Sequence, residues 1–122
     1  MASLALVLPL LPGKTDAWRQ AMEELKRSRW EEFGAARRRQ GISRERLWLQ
    51  QTPQGDLEIL YLETEDPARA LQAIATSQEP FDVWFRDFVR EHYGLDLSQP
   101  LPGPFPELVL DWSTDPAAAP TA

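Results

Sequence analysis

Leucine recurs at every second position from Leu4 to Leu10, with Ala5 and Val7 between, and Pro12-Gly13 ends the run. A period of two belongs to a β-strand, and apolar residues on both sides demand cover on both faces. Pro9 has no amide hydrogen, so the strand either frays there or lies beside an unpaired position. The run resembles a secretory signal in hydropathy alone, because no basic residues precede it and the Pro-Gly pair cuts it short.

The period then changes. Thr15 or Asp16 caps a helix start, and Trp18, Ala21, Met22, Leu25, Phe33 and Ala36 share one stripe at helical spacing. The spacing predicts one helix to about Arg39, closed by Gly41. Arg29 lies inside that stripe and Glu32 at its edge. Arg44 to Gln51 and Leu57 to Thr64 have strand composition, and the connection Thr52 to Asp56 carries the Pro and Gly of a tight turn. Asp66-Pro67 caps and opens a further helix that ends near Ser77. Pro80 opens another, with Phe81, Trp84, Phe85, Phe88 and His92 on one stripe and Gly94 at its end. Leu97 to Pro106 is a proline-rich connection, and Glu107 to Trp112 reads as a last strand.

The order βαββααβ is that of an α+β, ferredoxin-like fold: a four-stranded antiparallel sheet with helices on one face. A chain of 122 residues suits one core. The reading is a single domain over residues 1–112 and a disordered tail over 113–122. Helices on one face leave the other face bare. Val7, Trp48 and one row of the hairpin's second strand make that bare face apolar, which predicts a homodimer through the sheet.

The formal net charge of −6 argues against nucleic acid and against an anionic membrane as partners. The absence of cysteine excludes disulfides, thiolate catalysis and cysteine-ligated metal, and a lone histidine excludes a multi-histidine metal site within one chain. No apolar run is long enough to span a bilayer. The expectation is a cytoplasmic protein without metal or cofactor.

Three segments carry a resemblance: Trp48-Leu-Gln-Gln-Thr-Pro-Gln-Gly-Asp56, Tyr61-Leu-Glu-Thr-Glu-Asp-Pro-Ala-Arg-Ala70 and Pro80-Phe-Asp-Val-Trp-Phe-Arg86. Across roughly residues 4–112 the chain resembles an uncharacterised bacterial family. That family is similar to the dimeric α+β barrel superfamily, which also holds antibiotic-biosynthesis monooxygenases and stress-responsive barrel proteins. The resemblance implies a fold and a dimer. It brings no catalytic motif, so no active residue is transferred.

Several residues stand out chemically. His92, on an apolar stripe, reads either as a general base or haem ligand, or as a histidine meeting the negative end of a helix dipole. The second is preferred, because helix ends favour histidine for that reason alone, and a haem would also need room beside Phe85 and Phe88. Arg29 and Glu32, three apart, either pair in solvent or line a helix–sheet pocket with Glu32 as acid or base. Tyr61 and Trp84 read as pocket walls or interface anchors, and Trp48 as an interface anchor. Arg37-Arg38-Arg39 fans over too wide an arc for one anion patch and reads as dipole compensation. No phosphate loop, dinucleotide fingerprint, nucleophile elbow or zinc motif occurs. The functional expectation is a non-catalytic dimeric module that binds a small apolar molecule or a partner. The alternative is a cofactor-independent, monooxygenase-like or isomerase-like enzyme acting on an aromatic substrate.

Overall fold

The computed structural model of the chain describes residues 2–101 and 103–115. Its elements are β1 (Ala2–Pro9), α1 (Thr15–Ser28), α2 (Trp30–Arg39), β2 (Ile42–Thr52), β3 (Gly55–Thr64), α3 (Pro67–Thr76) and α4 (Pro80–Tyr93). Among the described residues the strands form one antiparallel sheet of three, in the order β1-β3-β2. The fold is α+β as predicted.

Strand pairing sorts the side chains. Leu4, Leu6 and Leu8 stand opposite Leu62, Leu60 and Glu58, and across β3 Leu47 and Leu49 stand opposite Leu60 and Glu58. This face meets the helices. Leu4, Leu6 and Leu62 pack with Ala70 and Ile74 of α3. Leu10 and Trp18 pack with Phe88, Val89 and Tyr93 of α4. On the opposite face Val7, Ile59 and Trp48 form one row across the strands, and Val7 and Trp48 are exposed. The bare apolar face expected from the alternation therefore exists.

The start of α3 and the end of α4 follow the predicted caps, whereas neither Thr15 nor Asp16 caps α1: the helix begins at Thr15, Lys14 precedes it without a side-chain cap, and the Thr15 hydroxyl donates to Asp56. An Asp66 carboxylate oxygen accepts from the Arg69 amide at 3.1 Å, with Pro67 at the first helical position. Gly94 ends α4 in the left-handed region at φ 71°, where a side chain would be strained.

Three expectations are corrected. The predicted single helix from Thr15 to Arg39 is two, broken at Arg29 with φ −125° and ψ 16°. The Ser28 hydroxyl donates to the Glu24 carbonyl at 3.2 Å, a back-bond that bends helices. The Arg29 guanidinium is drawn over the rings of Trp84, at 4.3 Å, and Phe81, at 5.2 Å. The charged residue on the apolar stripe is thus where the chain turns.

Next, Glu107 to Trp112 is not a strand: it has no regular structure and is exposed throughout. Among the described residues the expected four-stranded sheet has three strands, and this segment pairs with none of them. Finally, the arginine run does more than face a helix dipole. Arg37 is buried and bonds Glu45, while Arg39 reaches Asp82 at 3.0 Å. Asp82 also accepts from Gln40 and Ser77, which ties the end of α2 to the start of α4. Of the expected tail, residues 116–122 lie outside the described residues.

Candidate functional site

The break at Arg29 has a geometric consequence. It lets α2 swing toward β2 and press Arg37 against Glu45, while α1 spans the sheet further along. Between α1 and the helix-facing side of the sheet lies a cavity of about 650 Å³. Its walls are mostly hydrocarbon: Leu6, Leu8, Leu47 and Leu60 from the sheet, Trp18 and Met22 from α1, Phe85 and Phe88 from α4. Arg19, Glu23, Lys26 and Trp30 border it on the exposed side of α1 and α2 and mark its mouth. The volume is that of a site for a drug-sized molecule.

Two polar constellations interrupt the apolar wall. In the first, the Trp18 indole N–H donates to the Tyr93 hydroxyl oxygen at 2.6 Å, and the Tyr93 hydroxyl in turn donates to Glu58 Oε1. Glu58 is only 5% exposed, and among the described residues no Lys or Arg forms an ion pair with it. Loss of hydration is the main cause that lifts its pKa, from 4.5 to about 7; the Tyr93 hydrogen bond opposes the rise, and the nearby Glu45 carboxylate adds to it. Tyr93 is pushed well above the usual phenol range, first by burial and then by Glu58 itself. The Glu58 carboxyl is therefore an acid that gains or loses its proton near neutrality.

In the second constellation, Arg37 Nε donates to Glu45 Oε1 at 2.6 Å and its Nη1 donates to Gln40 Oε1 at 2.7 Å. The Phe33 and Phe85 rings sandwich its guanidinium, each 4.7 Å away. Arg37 and Glu45 cancel in charge, so the one buried cation that lines the cavity among the described residues is neutralised, and Arg19 and Lys26 stand at the exposed mouth. Every buried side-chain nitrogen and oxygen among the described residues has a partner.

The residues singled out in the sequence lie elsewhere. His92 is buried at the end of α4, where its Nδ1 bonds the Phe88 carbonyl at 2.9 Å and its ring stacks on Phe88 at 4.2 Å. Arg29 and Glu32 pair at 3.2 Å near solvent, and that hydrogen bond holds the Glu32 carboxyl below its usual range. Trp84 packs between Phe81 and Phe88 and under Arg29. Tyr61 stands on the bare face of the sheet, opposite Ala5 and Arg46. None of these five side chains borders the cavity.

Glu58 was legible in one respect. It is a charged residue between Leu57 and Ile59 in a strand whose helix-facing row is otherwise Leu60, Leu62 and Thr64. Glu45 in β2 breaks the pattern in the same way. Among the described residues no group of three or more His, Cys, Asp or Glu is placed to hold a metal ion. No described helix is long and apolar enough to cross a membrane.

Fold and site together define a small α+β protein with a mostly apolar helix–sheet cavity whose wall carries the Glu58 carboxyl and the Arg37–Glu45 ion pair. Comparison with protein-family models, curated proteins and solved structures finds no match to this chain. The site is therefore read from its own chemistry.

Proposed function

We propose that the protein is a dimeric, non-catalytic module that holds a small, largely apolar molecule in the helix–sheet cavity, with Glu58 as the polar anchor. One observation carries this reading: a buried carboxyl that forms no ion pair among the described residues faces about 650 Å³ of mostly apolar space. Such a group needs a hydrogen-bond acceptor when protonated and a positive charge when ionised. A neutral carbonyl or phenol, or an amine, meets that need. An anion beside Glu58 does not, because the buried Arg37 is already neutralised by Glu45 and the other lining cations, Arg19 and Lys26, stand at the solvent-exposed mouth. As part of the same reading the module is cytoplasmic and binds no nucleic acid, in keeping with its net charge of −6.

The dye N-phenyl-1-naphthylamine and its anionic sulfonated relative share one ring skeleton and separate these cases. The neutral dye is expected to bind saturably, one per chain, at least ten-fold more tightly than the anionic one. Leu47→Trp, which fills the cavity, should abolish that binding. Equal binding of both dyes, or binding unchanged by Leu47→Trp, would refute the site.

The dimer belongs to the same proposal. Val7, Ile59 and Trp48 form an apolar row on the side of the sheet that the helices leave bare, and a second copy is the simplest cover for it. Light scattering at micromolar concentration should give twice the chain mass of 13.9 kDa, and Trp48→Glu should halve it.

A second reading rests on the proton affinity of Glu58. An acid that titrates at about 7 beside a phenol is suited to general acid–base chemistry. On this reading Glu58 takes the role that the sequence offered to His92 or Glu32, in a cofactor-independent isomerase-like or monooxygenase-like enzyme. Deuterium exchange at the acidic carbon of an enolisable aryl ketone decides the point. Catalysis lost in Glu58→Gln supports the enzyme, and no exchange above buffer leaves the binding module.

A further inference from the structure

The segment after the proline-rich connection contradicts its own composition. Leu108, Leu110 and Trp112 alternate with Glu107, Val109 and Asp111, the pattern of a strand buried on one side. Yet Leu108 is 61%, Val109 85%, Leu110 83% and Trp112 78% exposed. Apolar side chains in such a row, open to water, mark a surface that another surface covers.

The sheet has a vacancy of matching kind. With strands ordered β1-β3-β2, both β1 and β2 keep one unpaired edge among the described residues. The β2 edge is guarded by Arg44, Glu45 and Arg46, and charged side chains keep an edge from pairing. β1, Ala-Ser-Leu-Ala-Leu-Val-Leu-Pro, has no charge along its length, and only Pro9 at its end blunts it. A proline stands at every second position from Pro100 to Pro106, and proline-rich linkers act as semi-rigid spacers. Such a spacer opposes a tight return of the segment onto its own chain.

We propose that Glu107–Trp112 adds as a fourth strand to the β1 edge of a second copy, and that two copies exchange these segments reciprocally. Each chain carries one donor segment and one acceptor edge, so a two-fold axis satisfies both and closes the assembly. Leu108, Leu110 and Trp112 then extend the helix-facing apolar layer, while Glu107 and Asp111 stay in solvent. Leu108, Leu110 and Trp112 of each copy, doubled by symmetry and again by the surfaces they cover, reach the roughly 1,200–2,000 Å² of a stable interface. The proposal rests on the dimer reading and adds which element joins the copies.

The test uses the full chain and three measurements: mass by light scattering, amide hydrogen exchange, and isotope-filtered contacts in a dimer mixed from labelled and unlabelled chains. The exchange of strands predicts a dimer in which amides of Leu108 to Leu110 exchange at least a hundred-fold slower than free chain. It also predicts contacts between Leu110 of one copy and β1 of the other. Leu110→Pro removes one amide donor outside the core; it should erase that protection and weaken the dimer at least ten-fold, with the far-ultraviolet dichroism unchanged. A dimer whose residues 107–112 exchange freely, or contact β1 only within one chain, would overturn strand exchange and leave the dimer reading standing. A monomer, with the segment protected or not, would overturn both.

Discussion

Glu58→Gln tests whether the cavity carboxyl is as poorly solvated as its surroundings imply. In the folded chain this group keeps its proton up to about 7, whereas in the unfolded chain it releases it near 4.5. Between those values the folded state binds more protons, so stability falls as pH rises and levels off above the folded pKa. Each pH unit in that window is worth about 1.4 kcal/mol, so the whole span amounts to about 3 kcal/mol and the part between pH 5 and pH 8 to about 2.5 kcal/mol. Glutamine keeps the shape and an acceptor for the Tyr93 hydroxyl but cannot ionise. Urea denaturation of both proteins from pH 5 to pH 8, compared as a difference, cancels every other titrating group. The wild type should lose about 2.5 kcal/mol more than Glu58→Gln across this range. Parallel pH profiles, or a variant that loses more, would show that Glu58 is hydrated or paired with a cation. The case for a polar anchor in an apolar wall would then fail.

Two further changes probe the same walls. Tyr93→Phe deletes the donor to Glu58 and the acceptor of the Trp18 indole. It should destabilise the fold by about 1–3 kcal/mol and raise the Glu58 pKa further, as read from the pH dependence of denaturation. Arg37→Met strands the buried Glu45 carboxylate and should cost about 3–5 kcal/mol, while Arg37→Met with Glu45→Leu should recover most of that loss. A double variant as unstable as the single one would show that the guanidinium acts through Phe33, Phe85 and Gln40 rather than through Glu45.

The elements that were legible in the sequence are those specified by local chemistry. Alternating leucines marked β1, Pro-Gln-Gly the hairpin turn, Asp66-Pro67 and Gly94 the helix ends. The break at Arg29 was hidden because the stripe continues in phase across it, from Leu25 to Phe33. What turns the chain is a serine back-bond and two rings from α4, and neither can be read from helical spacing. Residues 107–112 were read as a strand from a sound pattern, but a strand also needs an edge to join. The candidate site was misplaced for a related reason. His92, Arg29 and Trp84 stood out as polar or aromatic residues on apolar helix stripes, and tertiary packing occupies all of them. Glu58 and Glu45 interrupt apolar strand rows in the sequence, but that these rows face the cavity became visible only once β3 was paired and one of its two faces was known to be covered.

Cavity and carboxyl also bear on each other. An unfilled space of about 650 Å³ forfeits dispersion contacts that a packed core would make. A buried acid without a cation works against folding at neutral pH. Either feature would be removed by a simple substitution, leucine for Glu58 or a larger side chain at Leu47, and local consistency favours both. Sites where a sequence departs from such consistency are where function is expected. The two departures meet at one point, Glu58 facing the open space beside Trp18 and Tyr93. A ligand that fills the cavity and satisfies the carboxyl offsets both costs together, whereas a purely structural role for Glu58 offsets neither. That asymmetry is why the cavity, rather than His92 or the Arg29–Glu32 pair, is assigned as the site.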